Sequence, residues 1–207
     1  MEELLTLMLP ESGDPNLALP DPELLQYYQD LDERVYWIDG EVTDLLLDLI
    51  SKIIKWNRDD RKLPVEERTP IKIYIYSPGG SLDMAKALIS IIKLSKTPIY
   101  TFGLGMVASA ASMIYLSGHK RYATPNAYFL FHQGSCNNIG GSYQEVQSFM
   151  EDYKKQVAEL EEFYKENTNY DPSYIEEQLK KDWYIYTDEA IEHGIVNELI
   201  TDISALF

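Results

Sequence analysis

The chain has 207 residues, 45% hydrophobic and 25% charged, with 34 acidic against 18 basic side chains and a formal net charge of -16. This length suits one domain able to bury a core, and the apolar fraction excludes a disordered chain. The acidity argues against nucleic acid and anionic lipid as partners, and a single cysteine excludes a disulfide framework and a CxxC-type zinc site.

Residues 1–30 hold Pro10, Pro15, Pro20 and Pro22 and read as a partly ordered arm, in which no helix after Leu9 runs far. Residues 31–207 read as a single domain. Arg34 to Ile38 is a short strand candidate closed by Asp39-Gly40, and Val42 to Trp56 repeats apolar residues at helical spacing. Asn57 to Pro70 is charged, carries two prolines and predicts a surface loop.

Strand and helix then alternate. Ile71 to Tyr76 is β-branched and aromatic, Ser77-Pro-Gly-Gly80 is a turn, and Leu82 to Leu94 is an amphipathic helix with Ser81 as its cap. Ile99 to Phe102 predicts a second strand, Gly103-Leu-Gly105 a second turn, and Ala108 to Leu116 a helix of small residues. Tyr128 to Phe131 is a third strand. Such alternation implies crossover units and a mainly parallel sheet. Beyond the Gly134 to Ser142 loop, Tyr143 to Asn167 is a long helix with one narrow apolar stripe, Val146, Phe149, Tyr153, Val157, Leu160 and Phe163. Asp171-Pro172 opens another helix, Thr187 caps one that Gly194 ends, and Ile195 to Ile200 is a last short strand.

Two glycine turns at the carboxyl ends of parallel strands suggest a site, because open α/β sheets bind ligands there. Neither fits GxGxxG or GxxxxGK[ST]. Past the second turn, Ser109 and Ser112 enter a helix among residues with almost no side chain, which leaves room for a substrate chain and equally suits tight helix packing. A serine nucleophile needs a base. Of three histidines, His119 sits in a polar turn, His193 ends a helix, and His132 follows a strand directly, at the same end as the two turns. Cys136 is in a loop and reads as passive. Composition does not select one carboxylate from 34 acids, although Asp182, passing from a charged to an apolar segment, suits a partly buried acid.

From about Arg34 to Ile200 these motifs together resemble the ClpP family, the proteolytic subunit of the Clp protease. Ser77-Pro-Gly-Gly80 matches its SPGG turn, and Gly105-x-x-Ala-Ser109 falls where the family has its nucleophile. Arg121-Tyr-Ala-Thr-Pro-Asn126 leads through a strand to the His132-Gln133 pair. Asp182-Trp-Tyr-Ile with Glu189-Ala190-x-x-x-Gly194-Ile-Val resembles the family's ending. Tyr76, Ala110 and Gly134 depart from the usual Asn, Met and Pro.

The resemblance implies an α/β fold of the crotonase-like, ClpP type, a spiral of βαβ units with a projecting long helix. It implies a serine endopeptidase that cleaves unfolded polypeptides inside a ring-shaped chamber, with Ser109, His132 and Asp182 as triad and the amides of Gly80 and Ala110 as oxyanion hole. It further implies stacked heptameric rings interlocked through Tyr143 to Asn167, an AAA+ unfoldase as partner, and no cofactor or metal. An idle subunit of a mixed ring and a crotonase-type acyl-thioester enzyme are the alternatives.

The acidic start and the lack of an apolar run of membrane-spanning length lead to an expected cytoplasmic location. Residues 1–35 carry 9 acids and 1 base, 36–141 carry 9 and 12, and 142–207 carry 16 and 5. The stretch with both turns, Ser109 and His132 is therefore slightly basic, and the acidity lies at the ends.

Overall fold

The computed structural model describes residues 21–136 and 139–206, so most of the proline-containing arm, with Pro10, Pro15 and Pro20, lies outside them. Five parallel strands form the spine of the sheet, in the order β1 (Val35–Ile38), β2 (Ile71–Ser77), β3 (Ile99–Ala108), β4 (Lys120–Ala123), β7 (Glu198–Leu199). A branch leaves β3, where β5 (Tyr128–Phe131) pairs in parallel with Met106 to Ala108 and β6 (Trp183–Tyr186) runs antiparallel to β5.

Periodicity decides what each element buries. On β2, Ile71, Ile73 and Ile75 have no exposed surface, while Tyr74 packs on the opposite face with Val35, Phe102 and Ile200. Three helices cover the isoleucine face: α2 (Leu46–Asp59), α3 (Leu82–Leu94) and α4 (Ala110–Leu116). They bury Leu46, Leu49, Ile53 and Trp56, then Ala85, Leu88, Ile89 and Ile92, then all of α4. Each fully buried large side chain contributes about 1.5–3 kcal/mol by leaving water. Ser81 caps α3 by accepting from Met84 N–H at 3.3 Å.

Several sequence expectations change. Pro22 does not break a helix but starts one, α1 (Pro22–Asp32), because proline at the first position has no N–H to lose and Asp21 accepts from Glu23 N–H. Val42 is drawn out of α2 by a bridge to Gly80, with Val42 N–H bonded to the Gly79 carbonyl at 2.8 Å and Ser81 N–H to the Val42 carbonyl at 2.8 Å. The Asn57 to Pro70 stretch is not all surface loop. It holds two 3-10 turns and a buried Asp60, which Arg34 grips through Nη1 at 2.6 Å and Nη2 at 2.7 Å. The last strand is only Glu198–Leu199.

Gly103-Leu-Gly105 is also not a turn. β3 runs unbroken through both glycines to Ala108 and slips in register against β2 between Ile75 and Ser77. A Cβ on Gly103 would come within 3.2 Å of Val107 Cγ2, and one on Gly105 within 2.9 Å of the Tyr76 ring. These glycines let the strand bend closely past its neighbours while changing partners.

The long helix α5 (Tyr143–Asn167) has the expected bounds. A capping box at Ser142 and Glu145 starts it, with Ser142 N–H donating to Glu145 Oε2 at 2.7 Å. Its buried residues, Leu160, Phe163 and Tyr164, all lie in the second half, so the first half projects from the body. Helix α6 (Pro172–Gln178) follows, capped by Asp171 as predicted. Thr187 is the first residue of α7 (Thr187–Glu192), not its cap, and its hydroxyl donates instead to the Pro125 carbonyl at 2.9 Å. No described helix is long and apolar enough to cross a membrane.

Candidate active site

Three strand ends meet at one cleft. Ser109 follows the last residue of β3, and Ala108 is paired with Leu130 of β5, two residues before His132. The antiparallel pairing of Phe131 with Trp183 brings Asp182 beside His132. Register alone therefore gathers residues separated by long stretches of chain.

His132 Nε2 lies 2.6 Å from Ser109 Oγ, a hydrogen-bonding distance. On the other side of the ring, Nδ1 is 3.7 Å from Asp182 Oδ1, an ion-pair distance beyond direct hydrogen bonding. The Asp182 side chain is 62% exposed. The expectation of a partly buried acid is thus corrected: Asp182 precedes the first inward residue of β6, Trp183, and stands exposed beside His132, behind the residues that line the cleft.

Ser109 occupies a conformation that side-chain-bearing residues avoid, φ 54° and ψ -127°. Its N–H donates to the Leu130 carbonyl at 2.8 Å, and its carbonyl accepts from Ser112 N–H at 2.9 Å. The sharp turn into α4 aims Oγ outward toward His132. Ser112, the rival serine, is fully buried and donates its hydroxyl proton to the Ser109 carbonyl at 2.6 Å, so it is not free to attack anything in the cleft.

The SPGG turn lies against this turn. Ser77 is buried, donates to the Gly40 carbonyl at 2.5 Å and accepts from Gly79 N–H at 3.1 Å. Gly79, at φ 92°, touches the nucleophile turn itself: a Cβ there would lie 2.7 Å from both the Ala108 carbonyl and Ser109 Cβ. Gly80, at φ 150°, packs against the Val42 backbone, whose carbonyl a Cβ would approach to 2.5 Å. Gly80 and Ala110 both line the cleft, and among the described residues neither amide donates to a protein acceptor.

The cleft has a volume of about 520 Å³. Met113, Leu130 and Leu160 form an apolar part, and Phe149, Tyr153 and Gln156 of α5 form a wall. Tyr153 Oη donates to the Gly134 carbonyl at 3.2 Å, tying that wall to the loop after His132. The apolar stripe of α5 gave a signal for this wall, but a stripe alone does not distinguish a cleft from an interface. Gly79 entered the sequence reading only as part of the SPGG turn, and Cys136 only as a passive loop cysteine. Cys136 lines the cleft, and nothing in its local sequence marks it.

The other two histidines lie elsewhere. His119 Nδ1 accepts the Ile99 N–H at 2.9 Å, and His193 stacks on Tyr170 with ring centroids 3.7 Å apart. Among the described residues no group of three or more His, Cys, Asp or Glu is arranged to hold a metal ion.

The Clp protease family model matches residues 26–202. The chain is 33% identical over 186 residues to the ATP-dependent Clp protease proteolytic subunit 2 of Treponema denticola, covering 89% of each chain. It is 31% identical over 175 residues to the protein of the same name in Tropheryma whipplei, covering 83% of this chain and 93% of that one. A solved structure of a ClpP1 point mutant from Listeria monocytogenes superposes with a TM-score of 0.73 at 25% identity, over 88% of this chain and 99% of the other.

Proposed function

Because the chain belongs to the Clp protease family, we propose that its peptidase chemistry is of the serine type, with Ser109, His132 and Asp182 as the triad and the amides of Gly80 and Ala110 as the oxyanion hole. The observation that carries this reading is the 2.6 Å contact between Ser109 Oγ and His132 Nε2. With the serine proton directed at Nε2, the imidazole carries its own proton on Nδ1, the nitrogen that faces Asp182.

Ser109 Oγ attacks the peptide carbonyl carbon and forms a C–O bond as its proton passes to His132 Nε2. The carbonyl oxygen, now negative, accepts from the Gly80 and Ala110 amides, where one lost donor costs about 3–4 kcal/mol of transition-state stabilisation. When the tetrahedral intermediate collapses, the C–N bond breaks and His132 returns the proton to the leaving amine. Water then attacks the acyl ester with His132 again as base, releasing the acid and restoring Ser109 O–H. Asp182 holds the imidazole orientation and stabilises its charged form.

In this reading residues 31–207 are the peptidase domain and residues 1–30 an arm outside it. The substrates are unfolded polypeptides, cleaved within stacked heptameric rings and delivered by an AAA+ unfoldase in the cytoplasm. The projecting first half of α5, with Phe149 and Met150 exposed, supports assembly through that helix.

Labelling with a fluorophosphonate tests the chemistry. Mass mapping is expected to find one adduct, on Ser109, and Ser109→Ala is expected to abolish both labelling and peptide cleavage. An assembled protein that takes no adduct supports instead the idle-subunit or thioester reading.

A further inference from the structure

A buried polar chain reaches Ser109 from behind, on the side away from the cleft. Ser112 of α4 and Tyr164 of α5 both have no exposed surface. Ser112 Oγ donates to the Ser109 carbonyl at 2.6 Å and lies 3.1 Å from Tyr164 Oη. A serine hydroxyl carries one proton. With that proton given to Ser109, Tyr164 must be the donor of the second bond and Ser112 Oγ its acceptor. Burial pushes the Tyr164 phenol pKa up, so the donor proton stays in place across the working pH range.

The Tyr164 hydroxyl is not needed for packing. Its ring stacks on Phe131 with centroids 4.2 Å apart and planes 17° from parallel, and phenylalanine would stack equally well. The hydroxyl has one described partner, Ser112, and through it one destination, the carbonyl of a residue held at φ 54° and ψ -127°. Such a conformation persists only where its surroundings over-determine it. Ser109 is held on one side by Leu130 and on the other by two donors from Ser112, its N–H and its Oγ–H.

We infer that Tyr164 and Ser112 are positioning residues: the chain Tyr164 Oη, Ser112 Oγ, Ser109 carbonyl fixes the nucleophile turn so that Ser109 Oγ stays on His132, coupling the second half of α5 to reactivity. This rests on the serine-peptidase reading above. Acting through Ser109, neither residue touches substrate.

The test uses the full-length chain as parent, Tyr164→Phe, Ser112→Ala and the double variant. Three quantities are measured: the rate constant for fluorophosphonate labelling of Ser109, kcat and KM on a short fluorogenic peptide, and Tm. Tyr164→Phe is expected to lower kcat and the labelling rate by about three- to tenfold, and Ser112→Ala by about tenfold, with KM within about twofold of the parent. If the two act in series, the double variant is no slower than Ser112→Ala. Tyr164→Phe keeps the ring, so its fold is preserved and its Tm close to that of the parent. Labelled variants that react at the parental rate, or losses that multiply in the double variant, overturn the chain. A lowered Tm with unchanged kcat overturns it as well and leaves Tyr164 a packing residue. A parent that takes no label overturns the peptidase reading and this inference with it.

Discussion

A Cβ on Gly79 would sit 2.7 Å from the Cβ of Ser109 and equally close to the Ala108 carbonyl. The SPGG turn and the serine turn are therefore one packed unit, and the glycine is needed where two backbones touch. Gly79→Ala adds both a clash with backbone and a side chain at φ 92°. It is expected to destabilise the fold by about 2–4 kcal/mol and to slow fluorophosphonate labelling, because the turn holding Ser109 must shift. Urea unfolding and labelling kinetics measured on one preparation check both parts. A stable variant labelled at the parental rate refutes the close approach.

Asp182→Asn tests the exposed carboxylate. At 3.7 Å from His132 Nδ1 it stands where it can orient the ring and close to hydrogen-bonding distance once substrate excludes water. The substitution is expected to lower kcat by about 10²- to 10⁴-fold with little change in KM. Its Tm is expected to stay near the parental value, since an exposed side chain with no close hydrogen bond holds little of the fold. Retained kcat excludes Asp182 from the triad.

Asp60 supplies the pH dependence. The Arg34 hydrogen bonds, then one from Thr97 Oγ1 at 2.8 Å, hold its carboxyl below the ordinary carboxylate value despite its burial. With the folded pKa below the unfolded one of about 3.9, its contribution is fully present above that value. The unfolded state binds the proton first, so the contribution is lost as pH falls through the folded pKa. Asp60→Asn leaves the partly buried Arg34 without its carboxylate partner and is expected to cost about 1.5–3 kcal/mol at pH 7. Its stability is expected to fall less steeply than the parent's below about pH 4. Parallel acid limbs in parent and variant contradict this assignment.

Arg121 ties the last helix to the sheet through carbonyls alone: Nε donates to Ile195 at 2.8 Å and Nη2 to Gly194 at 2.7 Å. A lysine at this position cannot reproduce a planar fork. Arg121→Lys is expected to destabilise by about 1–3 kcal/mol, the cost of leaving a buried acceptor unpaired, measured by chemical denaturation. Equal stability of the two proteins rules out the fork as a structural tie.

Sequence patterning revealed elements whose apolar period matches their burial, such as β2, α3 and α5, and the capping residues Ser81 and Asp171. It failed where tertiary contact overrode local chemistry. Gly103 and Gly105 signal a turn on their own, yet they lie within a strand because Val107 and the Tyr76 ring need the space. Charge around Asp60 signals a surface loop, yet an arginine 26 positions earlier takes the carboxylate into the interior. The same limit applied at the cleft. A serine at a helix start and a histidine at a strand end were visible as residue types, whereas Asp182 was singled out locally as a partly buried acid, which it is not, and was given its role only through family resemblance. Its neighbour in space comes from the β5–β6 pairing, which no local pattern encodes. The bond between Ser112 and Tyr164 joins residues 52 positions apart and has no trace in either segment.

β3 is bonded to β2 on both sides of its register slip, to β4 along its first half and to β5 along its second. Its amides can exchange with solvent only when several strands separate together, so they are expected among the slowest in hydrogen–deuterium exchange. Ser109 thus sits at the tip of the most enclosed strand, and His132 at the tip of that strand's partner. Fraying of β5 detaches Leu130 from Ser109 N–H and displaces His132 in the same event. Loss of reactivity on mild denaturation should accordingly track the exchange of β5, ahead of global unfolding.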